Sequence, residues 1–236
     1  MQPLPWSPSA LDQFVSCPRQ YHAQRILRTV TQEETEQQRW GIYVHKAFED
    51  RQGAIAEWST TRHGIIPEMK PLPSDLMAHE PYMQKLWDKP GTHFTELRAG
   101  FDKKAQPCGF KDLNVWCRLV IDYVKVDEEN GRACVVDYKT GKQHSKFEQL
   151  YLYCLWVFAM FPGVNLVNAQ FYWTQTKTTT KKVIGRDEIP ALWSKFIPNL
   201  KQYAEAFKTD TWQPRQSGLC AGWCPVKECE FWRPKR

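Results

Sequence analysis

Hydrophobic residues recur at helical spacing in four parts of the chain. The second of these is clearly amphipathic, because Val44, His45 and Phe48 share one side. The third, about residues 146–161, is apolar through most of its length and predicts a buried helix that ends before Pro162. The expected helices begin after Ser7 or Ser9, at Trp40, near Lys146 and near Glu188.

Strand-like segments fill the middle of the chain. Val115–Val126 is rich in β-forming residues, Ala133–Tyr138 is a short apolar run, and Asp127–Gly131 between them predicts a hairpin loop. Proline-rich residues 63–92 predict an irregular connection with a short helix near Tyr82–Trp87. Further strands are expected at 94–101, at 167–176 and in a neighbour ending near 184. This order of elements predicts an α/β fold, with a central mixed sheet flanked by helices.

Two acids and a lysine follow the central apolar runs. Asp122 and Asp137 each end such a run on strands that a hairpin would pair, so their carboxylates would meet at one edge of the sheet. Two close carboxylates stay ionised most easily around a cation, and Mg²⁺ or Mn²⁺ prefers oxygen ligands. Lys139 shares a strand face with Asp137 and could orient a metal-bound water. The alternative is that Asp122 lies on the surface and Asp137 and Lys139 form an exposed charge pair.

The cysteines indicate a second metal site. Cys220, Cys224 and Cys229 are spaced C-x3-C-x4-C, and three such close thiolates favour a bound metal. No signal peptide is evident at the start of the sequence, so a reducing compartment, cytoplasmic or nucleoid-associated, is expected rather than disulfide formation. Zinc, an iron–sulfur cluster and unliganded thiols all remain open on spacing alone. The other cysteines are expected to be small core residues rather than ligands: Cys108, Cys117, Cys134 and Cys154.

Composition narrows the class of protein. The 236 residues are 42% hydrophobic and 25% charged, which is typical of a soluble globular protein. A net charge of +6 fits a polyanionic partner such as nucleic acid, or simply a solvated basic surface. The longest apolar run, Leu150–Phe161, is shorter than the roughly 20 residues that span a bilayer, so no membrane partner is expected.

Taken together, these motifs resemble the PD-(D/E)xK nuclease superfamily, and within it the RecB-type exonucleases. The resemblance rests on four motifs in the family's order: Gly41 with His45, Ile121-Asp122, Val135-Val136-Asp137-Tyr138-Lys139-Thr140-Gly141, and Gln149 with Tyr153. It implies a restriction-endonuclease-like core in a single nuclease domain, residues 1–236.

The resemblance also implies roles for these residues. The metal ligands would be His45, Asp122, Asp137 and the carbonyl of Tyr138. The catalytic residues would be Asp122, Asp137, Lys139, Gln149 and Tyr153, with Lys139 positioning the attacking water. Without the resemblance, a single histidine such as His45 on an apolar helix face is usually a hydrogen-bonded core residue, and the alternative for Gln149 and Tyr153 is helix packing. Glu96, on the strand before Asp122, could join the site but is not assigned to it.

RecB-type nucleases that hold a 4Fe–4S cluster carry one cysteine near the N-terminus, in many members followed by proline, and three near the C-terminus. Cys17-Pro18 and the C-terminal trio match this layout, although the family's usual C-terminal spacing is x2 and x5. The resemblance therefore implies a cluster held by Cys17, Cys220, Cys224 and Cys229. This iron–sulfur staple would join residues 1–30 and 208–236.

The implied activity is that of a Mg²⁺- or Mn²⁺-dependent deoxyribonuclease acting as an exonuclease on single-stranded or duplex DNA ends, in recombination, repair or end processing. CRISPR adaptation nucleases have a similar layout. No G-x-x-x-x-G-K-[ST] motif is present, so the chain acts alone or with a helicase, recombinase or other DNA-processing subunit. The alternative is a catalytically silent iron–sulfur or zinc DNA-binding subunit of a larger complex.

Overall fold

The computed structural model describes residues 3–53, 55–57 and 70–234, with only the backbone described for 55–57. The chain divides into two compact units: residues 35–192 form the larger, and residues 1–34 with 193–236 form the smaller. The first part of the proline-rich connection, residues 63–69, lies outside the described residues.

The larger unit is built on a mixed sheet. Its strands run in the order β1-β2-β4-β5-β6-β7, and β3 pairs with β2 at the side. The β1–β2 and β5–β6 pairs are parallel, and the other pairs are antiparallel. The described strands are β1 (Ile55–Glu57), β2 (Thr92–Phe101), β3 (Pro107–Gly109), β4 (Cys117–Asp127), β5 (Arg132–Lys139), β6 (Leu166–Trp173) and β7 (Thr178–Gly185).

The expected hairpin is present between β4 and β5, and the short β1 and β3 were not predicted. Such brief strands carry too few residues for an alternating pattern to be recognised. The architecture is thus a mixed α/β sheet flanked by helices, as the sequence predicted.

Three helices belong to the larger unit: α3 (Glu36–Gln52), α4 (Glu80–Trp87) and α5 (Glu148–Met160). Helix α3 begins four residues earlier than the expected start at Trp40. Thr35 and Gln38 form a capping box there, satisfying backbone N–H groups that would otherwise have no partner. The helix ends at Gly53, whose φ of +50° is the left-handed conformation that favours glycine.

Different helices pack against the two faces of the sheet. On one face, α3, α4 and the 3₁₀ turn Ser74–His79 pack against side chains of β4, β5 and β6. Helix α5 contacts β5 and β6 and is buried around its whole circumference from Leu150 to Phe158, as its apolar sequence predicted. The core under α3 and α4 comprises Val44, Ala47, Phe48, Leu72, Leu76, Met83, Leu86, Tyr123, Cys134, Val136, Tyr138 and Tyr172.

The smaller unit contains α1 (Pro8–Ser16), α2 (Pro18–Tyr21), a π-helical turn (His22–Ile26) and most of α6 (Ile189–Thr209). The helix that begins after Ser7 does not continue through Cys17: α1 ends at Ser16, and Cys17 takes an extended conformation with φ −162° and ψ 105°. A residue that precedes proline is pushed out of the α-helical region, so Pro18 breaks the helix at the cysteine.

Aromatic side chains hold the smaller unit together. Tyr21 and Tyr203 share a hydrogen bond of 2.7 Å between their hydroxyls, and Phe14 packs edge-on against Tyr203. Trp212, which follows α6, stacks on His22 with ring centroids 4.6 Å apart. These contacts join the N-terminal helices to the C-terminal segment through large buried rings, which contribute strongly to core stability.

Every helix in the described part of the chain is too short or too polar to cross a lipid bilayer.

Candidate functional site

The residues of the sequence motifs converge at one place on the larger unit. Strand β4 supplies Asp122 and strand β5 supplies Asp137, and the two strands are antiparallel neighbours. Asp122 Oδ2 accepts a hydrogen bond of 2.6 Å from the backbone N–H of Tyr138. This bond ties the first acid to the strand of the second and fixes its direction. Asp137 is almost completely buried, with 1% of its surface exposed.

Helix α3 brings a histidine to these acids. His45 Nδ1 lies 3.4 Å from Asp122 Oδ1 and 3.8 Å from Glu96 Oε1. One ligand atom from each of these three residues lies within 4.8 Å of the other two. His45 therefore faces a group of carboxylates, although it also packs edge-on against the ring of Tyr138.

Glu96 is the site residue that the sequence analysis left unassigned. It lies on β2 between Thr95 and Leu97, which pair with Tyr123 and Ile121 of β4, so Glu96 is opposite Asp122. Its φ of +48° is unusual for a residue with a side chain and marks a local distortion of the strand. An acid on the strand before Asp122 was a visible signal, but strand alternation alone does not show that its carboxylate turns towards the site.

Lys139 is held from two sides. Its Nζ lies 2.5 Å from Asp137 Oδ2 and donates a hydrogen bond of 3.0 Å to Gln149 Oε1. The amide of Gln149 donates to the Tyr153 hydroxyl at 2.6 Å, and that hydroxyl donates to the carbonyl of Val120 at 2.7 Å. Helix α5 thus connects the lysine of β5 to the backbone of β4, two residues before Asp122.

A close approach of α3 to β5 completes the frame. A Cβ placed on Gly41 would lie 3.2 Å from Thr140 Oγ1, so a larger residue would push the threonine or the helix away. Gly41 is one helical turn before His45 and faces the same side of α3. The glycine of the sequence motif therefore lets the histidine helix lie near the strand that carries Asp137 and Lys139.

The electrostatics of the cluster reflect its crowding. Burial by itself lowers the pKa of His45, but the charges and hydrogen bonds of Asp122 and Glu96 outweigh it and raise the pKa to about 10. Burial and the charge of Asp122 raise the pKa of Asp137 to about 7, against the opposing effect of Lys139. Close carboxylates destabilise each other's charge, so a divalent cation between them would favour the ionised forms.

The donor set fits such a cation. Carboxylate oxygens are preferred ligands of Mg²⁺ and Mn²⁺, and an imidazole nitrogen is better suited to Mn²⁺. The structure brings ligand atoms of His45, Glu96 and Asp122 together, and the charge of Asp137 acts on this group. Asp137 and the carbonyl of Tyr138 as ligands stay predictions. The Tyr138 ring points into the core, where its hydroxyl donates to Gln52 Oε1 at 2.8 Å.

The four cysteines of the second motif line one small cavity in the smaller unit. Cys17 and the C-terminal trio surround it together with Arg19, Gln20, Arg215, Val226 and Trp232. All four are unpaired thiols. Burial raises the pKa of the Cys224 thiol, and the nearby Cys17, Cys220 and Cys229 raise it further. The N-terminal cysteine and the three C-terminal ones therefore line the same cavity, while a metal held by them stays a prediction.

Backbone N–H groups point at two of these sulfurs. The N–H of Arg215 donates to Cys17 Sγ, and the N–H of Ser217 donates to Cys220 Sγ, both at 3.5 Å. Donors of this kind stabilise thiolates and tune the clusters that thiolates hold. Of the remaining cysteines, Cys117, Cys134 and Cys154 are buried, as expected, but Cys108, in β3, is only half-buried.

The sequence model of the PD-(D/E)XK nuclease superfamily matches residues 5–229 of this chain. No curated protein matches it in sequence. Members of the superfamily are generally metal-dependent nucleases, and the acidic cluster beside Lys139 has the ligand types that such an activity needs. Since the match covers nearly the whole chain, the protein belongs to the PD-(D/E)XK nuclease superfamily.

Proposed function

We propose that this protein is a Mg²⁺- or Mn²⁺-dependent deoxyribonuclease that removes nucleotides from DNA ends during recombination, repair or end processing. The observation that carries the proposal is the convergence of His45, Glu96, Asp122 and Asp137 next to Lys139. An acidic cluster alone would bind a cation, but the ammonium at its edge adds a group that can act on a water molecule.

The residues divide the work of hydrolysis between them. His45, Glu96, Asp122 and Asp137 would hold the ion, which would supply positive charge next to the scissile phosphate. Lys139 would orient the attacking water, since its Nζ is kept in place by Asp137 and Gln149. In the reaction, a water oxygen bonds to phosphorus, the bond from phosphorus to one ester oxygen breaks, and the leaving oxygen takes up a proton.

Lys182 is a basic residue of β7 that is engaged within the fold. Its ammonium donates to the Tyr151 hydroxyl at 2.9 Å and lies over the Phe147 ring. Its role in packing α5 against β7 competes with any role in holding DNA. The preference for DNA ends therefore rests on the resemblance to RecB-type exonucleases.

We further propose that Cys17, Cys220, Cys224 and Cys229 hold a 4Fe–4S cluster. Four cysteines around one cavity support a shared metal centre. Four thiolates can hold either a zinc ion or an iron–sulfur cluster. The choice of the cluster rests on the resemblance to RecB-type nucleases that carry one.

The cluster is proposed as a structural element. It would connect the segment after α1 to the C-terminal tail, and so restrict the unfolded chain over nearly its whole length.

The direct test is incubation of anaerobically purified protein with end-labelled single-stranded and duplex DNA, in Mg²⁺, Mn²⁺ or chelator. Shortening of the labelled strand in either metal, and none in chelator, is expected. The competing function is a silent DNA-binding subunit, which would bind the same DNA and leave it intact under every condition. Circular DNA without ends separates exonuclease from endonuclease action, because only the latter would cut it.

A further inference from the structure

A basic cavity of about 530 Å³ lies on the larger unit away from the cluster of acids. Its volume is in the range of small-molecule sites, which is roughly 300–1,000 Å³. Three cations and one carboxylate line it, together with small and apolar side chains. The lining residues are Lys89, Pro90, Lys125, Asp127, Arg132, Ala133, Cys134, Leu166, Asn168 and Val183.

The floor of the cavity is one row of residues across four strands. Lys125 pairs with Cys134, Cys134 with Asn168, and Asn168 with Val183. At about 4.8 Å between strands, such a row spans about 14 Å. Side chains in register point to the same face, so these four residues present a continuous surface.

This surface is on the opposite face of the sheet from the side chains of Asp122 and Asp137. Lys125 is three residues after Asp122 on β4, and strand side chains alternate between faces. Cys134 is likewise three residues before Asp137 on β5. A ligand in the cavity would therefore not occupy the acidic site.

Lys125 is the most informative residue of the cavity. It is only 8% exposed, and it makes no hydrogen bond or ion pair with any residue the structure describes. Burial lowers the pKa of Lys125, and the charge of the one lining carboxylate, Asp127, opposes this only in part. Asp127 also accepts hydrogen bonds from Asn130. An ammonium that opens into a cavity with so little opposing charge favours a ligand of negative charge. Cys134 adds no charge, since burial raises the pKa of its thiol.

Asn168 provides a second unsatisfied group. Its Oδ1 is buried and has no hydrogen-bond partner within the described structure. A side-chain amide can read the hydrogen-bonding edge of a nucleobase, and Val183, which is 62% exposed, offers an apolar surface beside it. The row has cations at one end, which match the phosphate of a nucleotide. At its other end it has an amide next to an apolar side chain, which match the base.

We propose that this cavity binds a nucleotide, with the phosphate held by Lys125, Lys89 and Arg132 and the base placed against Asn168 and Val183. The phosphate could come from a free mononucleotide or from the 5′-phosphorylated end of a strand. The proposal does not rest on the nuclease activity, because none of the residues that line the cavity belongs to the acidic site.

The test is equilibrium dialysis of the full-length protein with a labelled deoxynucleoside 5′-monophosphate in EDTA, which keeps metal out of the acidic site. Saturable binding is expected, weakened about tenfold or more by Lys125→Met, since a charged hydrogen bond contributes about 1.5–3 kcal/mol. The matched control is Lys85→Met, the same change at an exposed lysine of α4 outside the cavity. This control and Lys139→Ala should bind as the wild type does.

Thermal melting without ligand shows that the key variant is folded. Lys125→Met should melt at or above the wild-type temperature, because burial disfavours the charge of Lys125 more than Asp127 stabilises it. A short 5′-phosphorylated oligonucleotide in place of the mononucleotide identifies the source of the phosphate. The proposal is overturned if neither ligand shows binding that depends on Lys125, if the nucleoside without phosphate binds as tightly, or if Lys139→Ala abolishes binding.

Discussion

Lys139 donates a hydrogen bond of 3.0 Å to Gln149, so the lysine that ends the sheet motif is held by the helix that follows it. The same glutamine donates to Tyr153, one turn further along α5. The Gln-x3-Tyr motif therefore has a geometric explanation: one residue directs the lysine, and the other directs the glutamine.

This relationship predicts a positioning role for Gln149. Gln149→Ala should lower kcat for DNA cleavage about tenfold or more and leave KM little changed, because a misplaced lysine affects the reaction rather than binding. Tyr153→Phe should have a smaller effect in the same direction, since Gln149 remains. Steady-state kinetics on end-labelled DNA measure both. A raised KM with normal kcat would instead show that Gln149 contacts DNA.

The acids and the lysine should be indispensable. Asp122→Asn, Asp137→Asn and Lys139→Ala should each reduce cleavage to background, while circular dichroism shows an unchanged fold. Asp137→Asn should also melt no lower than the wild type in chelator, because it replaces a buried carboxylate whose pKa is raised by burial and by Asp122. Full activity in either aspartate variant would contradict the metal site described above.

Glu96 should behave as a ligand rather than as a surface acid. Glu96→Gln should weaken Mn²⁺ binding, measured by titration with the free ion, because one carboxylate of the cluster loses its charge. His45→Ala should reduce cleavage more in Mn²⁺ than in Mg²⁺, since imidazole suits the softer ion. Glu128→Gln is a matched control in the β4–β5 loop. Equal Mn²⁺ affinity in wild type and Glu96→Gln would show that this carboxylate is not a ligand.

The cysteine cavity predicts an iron content of about four per chain, the content of one 4Fe–4S cluster. The protein must be purified without air for this measurement. Cys17→Ser should lose iron as completely as Cys224→Ser, although the two residues are far apart in sequence, because both line the same cavity. Cys108→Ser should retain it. The iron and zinc contents of the wild type and the three variants are measured. One zinc per chain without iron would show a zinc site in place of the cluster.

The buried histidine of the larger unit predicts a loss of stability in acid. Burial, aided by Lys177, lowers the pKa of His79, whose Nδ1 lies 2.9 Å from the Tyr172 hydroxyl. The unfolded chain therefore binds a proton more readily than the folded one. The stabilisation is complete above the ordinary histidine pKa of about 6.5 and is lost as the pH falls towards the lower folded value.

Melting temperatures at neutral and mildly acidic pH measure this effect. His79→Gln should show a smaller drop on acidification than the wild type. Tyr172→Phe should melt lower at both pH values but keep the wild-type drop, because its histidine still titrates. An unchanged drop in His79→Gln would assign the acid sensitivity to other groups.

Much of this protein is decided by local sequence. The apolar run of α5 predicts a buried helix, and the pattern around Asp127–Gly131 predicts the β4–β5 hairpin, because both depend on neighbouring residues. The common face of Asp137 and Lys139 follows from the strand period of two and needs no tertiary information. A local rule also explains the end of α1 before Cys17, because Pro18 keeps the residue before it out of the helical conformation.

Tertiary structure decided what joins these local features. Glu96 reaches the site only through its pairing opposite Asp122 and the positive φ at that position, neither of which its own sequence pattern encodes. The row beneath Lys125 depends on the register of four strands, and a shift of one residue would turn its side chains to the other face. Strand register and helix packing depend on contacts between residues far apart in the chain, whereas a sequence pattern describes only the residues next to one another.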